Sequence, residues 1–242
     1  MTDQPPVALA YANRTGRGPG VVLRTLGRVH PGIRAVQRQV EPYADAWHAH
    51  NVRALGAPGR RWVVLGDSMS QGIGASAWDA GWVDQLAADL ADRGHPLTVL
   101  NLSATGARVP DVVDQQLAAL ATLPPAPGTT EPDLVTVLIG SNDLFAGGAH
   151  RDGLPRAFER LIEALPHGAV VATLPQTRSA ARGANVHVER AGAAGDVHVV
   201  DLRTDGPDTW RGRLAADWFH PNDAGYAQIA TAFLPRALEA LA

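Results

Sequence analysis

The chemistry of this sequence is concentrated in a serine, a histidine and an aspartate that stand in short polar motifs. Ser68 lies in "GDSMSQGIGA", directly after the apolar run "RWVVL", and Asp217 and His220 lie in "DWFHPND". A serine hydroxyl is a poor nucleophile unless a base takes its proton, and histidine is the usual base near neutral pH. A carboxylate three residues before the histidine can hold the imidazole in one tautomer. This pattern predicts nucleophilic catalysis, with Ser68 as nucleophile, His220 as base and Asp217 as the orienting carboxylate.

Two further motifs supply the hydrogen-bond donors that acyl transfer needs. Gly106 lies in "NLSATGARVPD" and Asn142 lies in "IGSND". A tetrahedral intermediate requires N–H groups aimed at its oxyanion, and losing one donor typically raises the barrier by about 3–4 kcal/mol. We expect the backbone N–H groups of Ser68 and Gly106 and the side-chain N–H of Asn142 to form this oxyanion hole.

Apolar strands alternate with helical patterns from Arg61 to the end of the chain, which predicts a parallel sheet covered by helices on both faces. In such sheets, ligands bind beyond the carboxyl ends of the strands, and the four motifs follow predicted strands. The predicted strands are 61–66, 97–102, 133–140, 168–174 and 196–202. The predicted helices are 81–94, 111–123, 154–165 and a last helix that begins at Pro221 and that Pro235 is placed to kink.

The four motifs, in their order along the chain, resemble the first, second, third and fifth sequence blocks of the SGNH (GDSL) hydrolase family, over residues 61 to about 232. The resemblance implies a three-layer α/β/α sandwich with a flavodoxin-like sheet of five parallel strands. Carried over position by position, it implies that Ser68 is the nucleophile and one donor to the oxyanion hole, which Gly106 and Asn142 complete. It likewise implies that His220 is the base and Asp217 the carboxylate that orients it. Members of the family are esterases, lipases, thioesterases and carbohydrate deacetylases that use no cofactor. Met69 stands where the family usually has leucine, a swap that conserves apolar character.

Other interpretations of the same motifs stay open. Ser68 is also consistent with a helix cap or turn residue, and Ser70 is a rival nucleophile. Asp201, at the end of the fifth predicted strand, is a rival for the carboxylate of the triad. Asp67 is expected to be a supporting hydrogen-bonding residue and Asp143 to cap a turn. An α/β-hydrolase would need G-x-S-x-G, and Ser70 stands at the second glycine position.

The remaining histidines and the aromatic residues near the motifs are interpreted as structural. Trp218 and Phe219 are expected to anchor the core, with the alternative that one of them lines an acyl pocket. His48 and His50 form an "HxH" pair without clustered carboxylates, so a solvated helix is expected there and not a metal site. His187 is predicted in a loop and His198 in a strand, both without partners.

Composition narrows the function classes. The 242-residue chain is 45% hydrophobic and 19% charged, has no cysteine, and has no lysine, since all 21 basic residues are arginine. A cysteine nucleophile, a P-loop lysine and a Schiff-base lysine are therefore excluded. The net charge is −3, and the mildly acidic body argues against a nucleic-acid substrate. No secretory leader or membrane-spanning stretch is recognised, so we expect a cytoplasmic bacterial protein.

Residues 1–57 are interpreted as a basic arm and residues 58–242 as the hydrolase domain. Residues 1–40 carry six arginines against one acid, and residues 1 to about 32 are expected to be irregular. A stripe of Ile33, Val36, Val40 and Trp47 predicts one broken helix or two short helices, interrupted at Pro42, that pack on the body. A lid, a dimer contact and a membrane-surface element remain open as roles for the arm.

Together these observations predict a serine esterase that cleaves carboxylic esters of small molecules or lipids, without cofactor or metal. A thioesterase and a carbohydrate O-deacetylase that use the same residues are alternatives within the enzyme class. A catalytically silent binding module that kept the pocket is the alternative from another class.

Overall fold

Five parallel strands form the centre of the molecule. The computed structural model describes residues 9–18 and 27–242. The strands are β1 (Arg61–Gly66), β2 (Thr98–Asn101), β3 (Leu134–Leu138), β4 (Ala169–Ala172) and β5 (Val197–Val200). They lie in the order β2-β1-β3-β4-β5, every neighbouring pair being parallel, which is the flavodoxin-like order. The predicted α/β sandwich with a five-stranded parallel sheet is confirmed.

Helices cover both faces of the sheet. They are α1 (Pro31–Gln37), α2 (Val40–Ala54), α3 (Trp82–Asp92), α4 (Val109–Asp111), which continues through a π-helical turn (Val112–Gln116) into α5 (Leu117–Ala121), α6 (Ser141–Ala146), α7 (Gly148–Asp152), α8 (Leu154–Ala164), α9 (Ser179–Ala194) and α10 (Asp223–Leu241). Successive strand residues point to opposite faces, so Trp62 packs in one apolar cluster with α3 and α10. Val63 packs in a second cluster with α4, α8 and α9. Two cores, one on each face, thus hold the sheet between its helices.

Helix α2 lies along the outer edge of β2. The side chain of Asn51 accepts a hydrogen bond from the N–H of Asn101 (2.9 Å) and donates one to its carbonyl (2.7 Å). A ring nitrogen of His50 bonds to the carbonyl of Val99 (3.1 Å), and Trp47 on the same helix is fully buried. The helix therefore supplies side-chain partners to the backbone of this edge strand.

Helices α1 and α2 lie in the described part of the arm, but the break between them does not lie at Pro42. It lies at Arg38 and Gln39, and Pro42 occupies the first turn of α2, where a missing N–H removes no helical hydrogen bond. Val36 and Tyr43 pack on Ile73, in the turn that follows β1. The described part of the arm therefore contacts the body. The expectation of irregular structure up to about residue 32 was wrong for residues 27–29 and for the start of α1, which are helical, and for residues 1–8 and 19–26 it lies outside the described residues.

Helix α9 was not predicted, and neither were the short helices α6 and α7. The sequence of α9, "SAARGANVHVERAGAA", consists mostly of small residues, and its buried face is formed largely by alanines. Alanine methyl groups give only a weak hydrophobic periodicity along the sequence, which explains why this helix was not predicted. His187 lies in this helix, so its prediction in a loop was wrong. The last helix begins at Asp223, not at Pro221, and continues through Pro235 to Leu241.

No helix in the described ranges is both long enough and apolar enough to cross a bilayer.

Candidate active site

Ser68 lies in the turn that follows β1, at the carboxyl edge of the sheet. The strand ends at Gly66, and the N–H of Ile73 donates a hydrogen bond to the Ser68 carbonyl (3.0 Å). The buried carboxylate of Asp67 accepts the N–H of Met69 (3.0 Å), so the residues on both sides of Ser68 are tied to each other. Ser68 itself is 6% exposed. The turn is therefore rigid, and it holds the serine at the edge where parallel sheets bind ligands.

His220 and Asp217 form a hydrogen-bonded chain with Ser68. His220 Nε2 lies 3.0 Å from Ser68 Oγ, and His220 Nδ1 lies 2.6 Å from Asp217 Oδ2. Asp217 Oδ1 accepts the backbone N–H groups of Phe219 and His220, both at 3.1 Å. Burial acts to raise the pKa of Asp217, but the hydrogen bond from His220, its charge and the two backbone N–H groups outweigh burial, and the pKa is lowered. Asp217 is therefore ionised at neutral pH and holds the imidazole in a fixed orientation.

The loop that carries this pair is tightly constrained. Leu214 and Pro221 form an antiparallel bridge on either side of it. Between Asp217 and His220, Trp218 has a φ of +56°, a left-handed conformation that costs a large side chain about 1–3 kcal/mol. Such a conformation persists only where the surrounding structure imposes it. Here it lets the chain fold back so that the carboxylate meets the ring three residues later.

The rival residues do not bond to His220. Asp201 is bound by the guanidinium of Arg203 (2.6 and 2.7 Å) and by the hydroxyl of Thr173 (3.0 Å). Ser70 is 1% exposed, and its hydroxyl has no hydrogen-bond partner among the described residues. Geometry therefore distinguishes Ser68 and Asp217 from both rivals.

Asn142 links the two turns that contain Ser68 and Gly106. It lies at the start of α6, after β3, and its Nδ2 donates to the carbonyl of Ala107 (2.9 Å) and, over a longer distance of 3.3 Å, to Asp67 Oδ2. Gly106 follows β2 and has a φ of +79°, which a side chain would disfavour. The structure thus brings the predicted donor residues to one edge of the sheet.

Two buried carboxyl groups lie beside this edge. Burial raises the pKa of Asp67 to about 6, against the lowering effects of the Met69 N–H and of His220. Burial likewise raises the pKa of Asp143 to about 6, although it accepts the N–H of Val109 (3.1 Å) at the start of α4. Asp67 supports the turn after β1 as a hydrogen-bonding residue, as expected, whereas Asp143, which was expected to cap a turn, bonds to a residue 34 positions away. Neither bonds to the ring of His220.

A cavity of about 290 Å³ opens beside Met69 and Phe219, the chain neighbours of Ser68 and His220. Its apolar lining includes Met69, Leu138, Ile139, Leu174, Leu202 and Ile229, and Asp67 is on its wall. Trp218 and Phe219 also line it, and they are 66% and 41% exposed. The expectation that these two aromatic residues anchor the core was therefore wrong, because both are exposed and line the cavity.

The other histidines are partnered in ways that the sequence did not reveal. His48 was predicted on a solvated face, but its ring is half-buried and bonds to the Tyr11 carbonyl (3.0 Å), and His50 bonds to β2 as described above. Burial lowers the pKa of His50. His198 lies in β5 as predicted, but its Nδ1 is 3.6 Å from a carboxylate oxygen of Glu239. Within residues 9–18 and 27–242, no three His, Asp or Glu side chains converge as a metal site.

Sequence reasoning also missed a group of buried amides near Gly106. Gln71, inside the serine motif, is fully buried, and Asn13 of the arm is 1% exposed. A fully buried glutamine three residues after a candidate nucleophile has no periodic signature. Only its position inside the motif could have drawn attention to it.

Comparisons with known proteins relate part of this chain to a family. The profile of the GDSL-like Lipase/Acylhydrolase family matches residues 64–228. Esterase TesA of Pseudomonas aeruginosa is 36% identical over 87 residues, which cover 36% of this chain and 39% of that esterase. The matched stretch therefore spans well under half the length of this curated relative.

Solved structures share the fold. The crystal structure of TesA matches with a TM-score of 0.60 at 21% identity, covering 75% of this chain and 99% of that chain. The family 3 carbohydrate esterase of Clostridium thermocellum matches with a TM-score of 0.59 at 20% identity, covering 76% of this chain and 98% of that chain. Because the family profile extends over more than half of the sequence, this chain belongs to the GDSL-like lipase/acylhydrolase family.

Proposed function

We propose that this protein is a serine esterase that cleaves carboxylic esters through an acyl-serine intermediate. The observation that carries the proposal is the continuous chain from Ser68 Oγ to His220 Nε2 (3.0 Å) and from His220 Nδ1 to Asp217 Oδ2 (2.6 Å). These distances are within hydrogen-bond reach of a nucleophile, its base and the group that orients the base.

In the acylation step, Ser68 Oγ attacks the ester carbonyl while His220 Nε2 takes the hydroxyl proton. The imidazolium that forms is stabilised by ionised Asp217. When the tetrahedral intermediate collapses, His220 returns this proton to the leaving alcohol, and the acyl group stays on Ser68. His220 then takes a proton from water, which attacks the acyl-serine and releases the acid. His220 finally returns the proton to Ser68 Oγ, so the enzyme is regenerated.

The oxyanion is assigned to the N–H groups of Ser68 and Gly106 and to Nδ2 of Asn142. In the free enzyme, Nδ2 donates to two protein oxygens, and its bond to Asp67 Oδ2 is the longer one at 3.3 Å. A hydrogen bond of this length is weak, so its exchange for a bond to the developing oxyanion favours the transition state over the ground state. Ala107 would keep the other bond and hold the amide in place.

The cavity supports an apolar acyl group larger than acetyl. Its side chains are mostly aliphatic and aromatic, and it lies between Met69, next to the nucleophile, and Phe219, next to the base. Each methylene buried in such a pocket contributes about 0.8 kcal/mol. This favours an esterase or a thioesterase of longer acyl chains over an O-deacetylase, in which the acyl group is only acetyl.

Hydrolysis of p-nitrophenyl esters from acetate to palmitate, with and without Ser68→Ala, tests the proposal. We expect activity that rises beyond acetate and falls by at least about a thousandfold in Ser68→Ala. A parallel assay on acyl-CoA thioesters separates the esterase from the thioesterase. A folded wild-type protein that hydrolyses neither series would refute the proposal and favour the silent binding module.

A further inference from the structure

Residues 13–17 of the arm, here called the strap, lie against the turn that contains Gly106. Asn13 Nδ2 donates to the carbonyls of Asn101 (2.6 Å) and Ser103 (2.9 Å), at the end of β2 and just beyond it. Arg14 and Thr105 then form an isolated parallel bridge. The strap thus runs beside the chain from the end of β2 to the oxyanion-hole glycine, although the family profile begins only at residue 64.

Gln71 joins the strap, the Gly106 turn and the serine turn in one buried network. Its Nε2 donates to the carbonyls of Asn13 (3.0 Å) and Ser103 (3.2 Å), and its Oε1 accepts the N–H of Thr105 (2.7 Å). Gln71 is fully buried, so these bonds are shielded from competing water. The arm is therefore connected to both turns that would supply backbone donors to the oxyanion.

Two strap side chains hold the peptide groups on either side of Gly106. The hydroxyl of Thr15 donates to the carbonyl of Thr105 (3.2 Å), which belongs to the same planar peptide as the N–H of Gly106. The guanidinium of Arg17 donates to the Gly106 carbonyl (3.3 Å) and to both carboxylate oxygens of Asp111 (2.5 Å each). Fixing the Thr105 carbonyl fixes the direction of the Gly106 N–H, because the two point opposite ways across one rigid plane.

We propose that two side chains of the strap, Thr15 and Arg17, are positioning residues for the oxyanion hole. A glycine with φ of +79° has wide conformational freedom, so its N–H keeps a fixed direction only if the neighbouring peptides are held. Asp111 anchors Arg17 from the other side, since it is 5% exposed and also accepts the N–H of Arg108 (2.7 Å). This inference rests on the proposed serine esterase function.

Two arginines three residues apart provide a matched test. Arg17 holds the Gly106 turn, whereas the side chain of Arg14 bonds to Glu41 (2.8 Å) and Asp45 (2.7 Å) on the exposed side of α2. Removing an oxyanion-hole donor typically lowers kcat about a hundredfold or more. Arg17→Met would only make the direction of the Gly106 N–H less fixed, so we expect a smaller loss. We expect Arg17→Met to lower kcat about 10- to 30-fold at nearly constant KM. We expect Arg14→Met to leave kcat within about twofold.

Thr15 gives a second, isosteric pair. Thr15→Val removes the hydroxyl and keeps the shape, so kcat should fall by roughly threefold to tenfold, a smaller loss than that of a whole donor. Thr15→Ser keeps the hydroxyl, so its kcat should stay close to that of the wild type. If Arg17 has a purely structural role, Arg17→Met instead lowers the unfolding temperature, as Arg14→Met does, and leaves kcat of the folded protein unchanged. That result overturns the proposal.

Amide exchange tests the strap independently of activity. In Arg17→Met, the peptide covering residues 102–107 should exchange its amide hydrogens faster than in wild type or in Arg14→Met. If wild type shows no Ser68-dependent hydrolysis, the esterase proposal fails, and the strap assignment to an oxyanion hole falls with it. If hydrolysis depends on Ser68 but both kcat and exchange are unchanged in Arg17→Met, the strap proposal alone is refuted.

Discussion

Asp217→Asn is the sharpest test of how this site holds its histidine. An asparagine at this position can adopt two orientations. In the first, the amide oxygen accepts hydrogen bonds from the N–H groups of Phe219 and His220, which in the wild type lie 3.1 Å from Asp217 Oδ1, and the NH₂ group faces His220 Nδ1. In the second, the amide oxygen faces His220 Nδ1 and the NH₂ group faces the backbone N–H groups of Phe219 and His220. Because an NH₂ group cannot accept a hydrogen bond from them, both backbone N–H groups are left unsatisfied. The Asp217 side chain is only 7% exposed, and each unsatisfied buried N–H costs about 1–3 kcal/mol.

The first orientation is therefore favoured by about 2–6 kcal/mol for two lost bonds. An NH₂ group that faces Nδ1 forces the imidazole to carry its proton on Nε2, the atom that must accept the proton of Ser68. We expect kcat on a p-nitrophenyl ester to fall by roughly 10⁴-fold, the size of effect seen when a triad histidine is locked in the wrong tautomer. The unfolding temperature should change little, because the backbone bonds to the loop are kept.

The matched control is Asp201→Asn. Asp201 is the other carboxylate that the sequence offered, and it is bound to Arg203 and Thr173 instead of His220. This variant should keep kcat within about twofold, since its group has no contact with the reacting atoms. The tautomer argument would be refuted if Asp217→Asn kept more than about a tenth of wild-type kcat. It would also be refuted if kcat fell as far in Asp201→Asn as in Asp217→Asn.

Three further predictions concern residues around the proposed active site. Ser70→Ala should keep full activity and stability, because the hydroxyl it removes has no hydrogen-bond partner in the part of the chain that the structure describes, and a loss of activity like that of Ser68→Ala would reverse the assignment of the nucleophile. Trp218→Ala should lower kcat/KM about tenfold for octanoate and leave acetate nearly unchanged, by loss of apolar contact in the cavity; equal losses for both esters would place the acyl chain elsewhere. The pKa of Asp143 is about 6 in the folded protein and 3.8 in a free side chain, so its stabilising contribution is complete below pH 3.8 and lost as pH rises through 6. Asp143→Asn should therefore raise the unfolding temperature relative to wild type at pH 8 but not at pH 4, and a gain that is independent of pH would contradict this burial effect.

The sheet and the candidate site were predictable from sequence for the same reason. Runs such as "RWVVLG" are buried on both faces, so they are continuously apolar, and parallel strands must end at one edge. The polar residues that follow them therefore had to meet. Helix α9 escaped prediction because alanines form its buried face, and Trp218 was misplaced because apolar character alone cannot tell a core from a cavity wall.

The strap was beyond sequence reasoning for a different reason. Asn13 and Asn101 are 88 residues apart, and their contact depends on single polar side chains that reach backbone carbonyls, not on any repeating pattern. No local propensity encodes such a pair. The roles of the site residues, the boundary at residue 57 and the cytoplasmic location stay predictions.

The covering of β2 by α2 has a consequence for strand pairing between copies of the chain. An uncovered edge strand presents free N–H and C=O groups to any other strand, and it is a template for intermolecular pairing. Asn51 occupies both backbone groups of Asn101, and His50 occupies the carbonyl of Val99, so side chains bond to these three groups in place of a sixth strand. A shortened chain that lacks α2 would expose β2 to other copies of itself. Its failure would therefore appear as concentration-dependent precipitation before any loss of secondary structure.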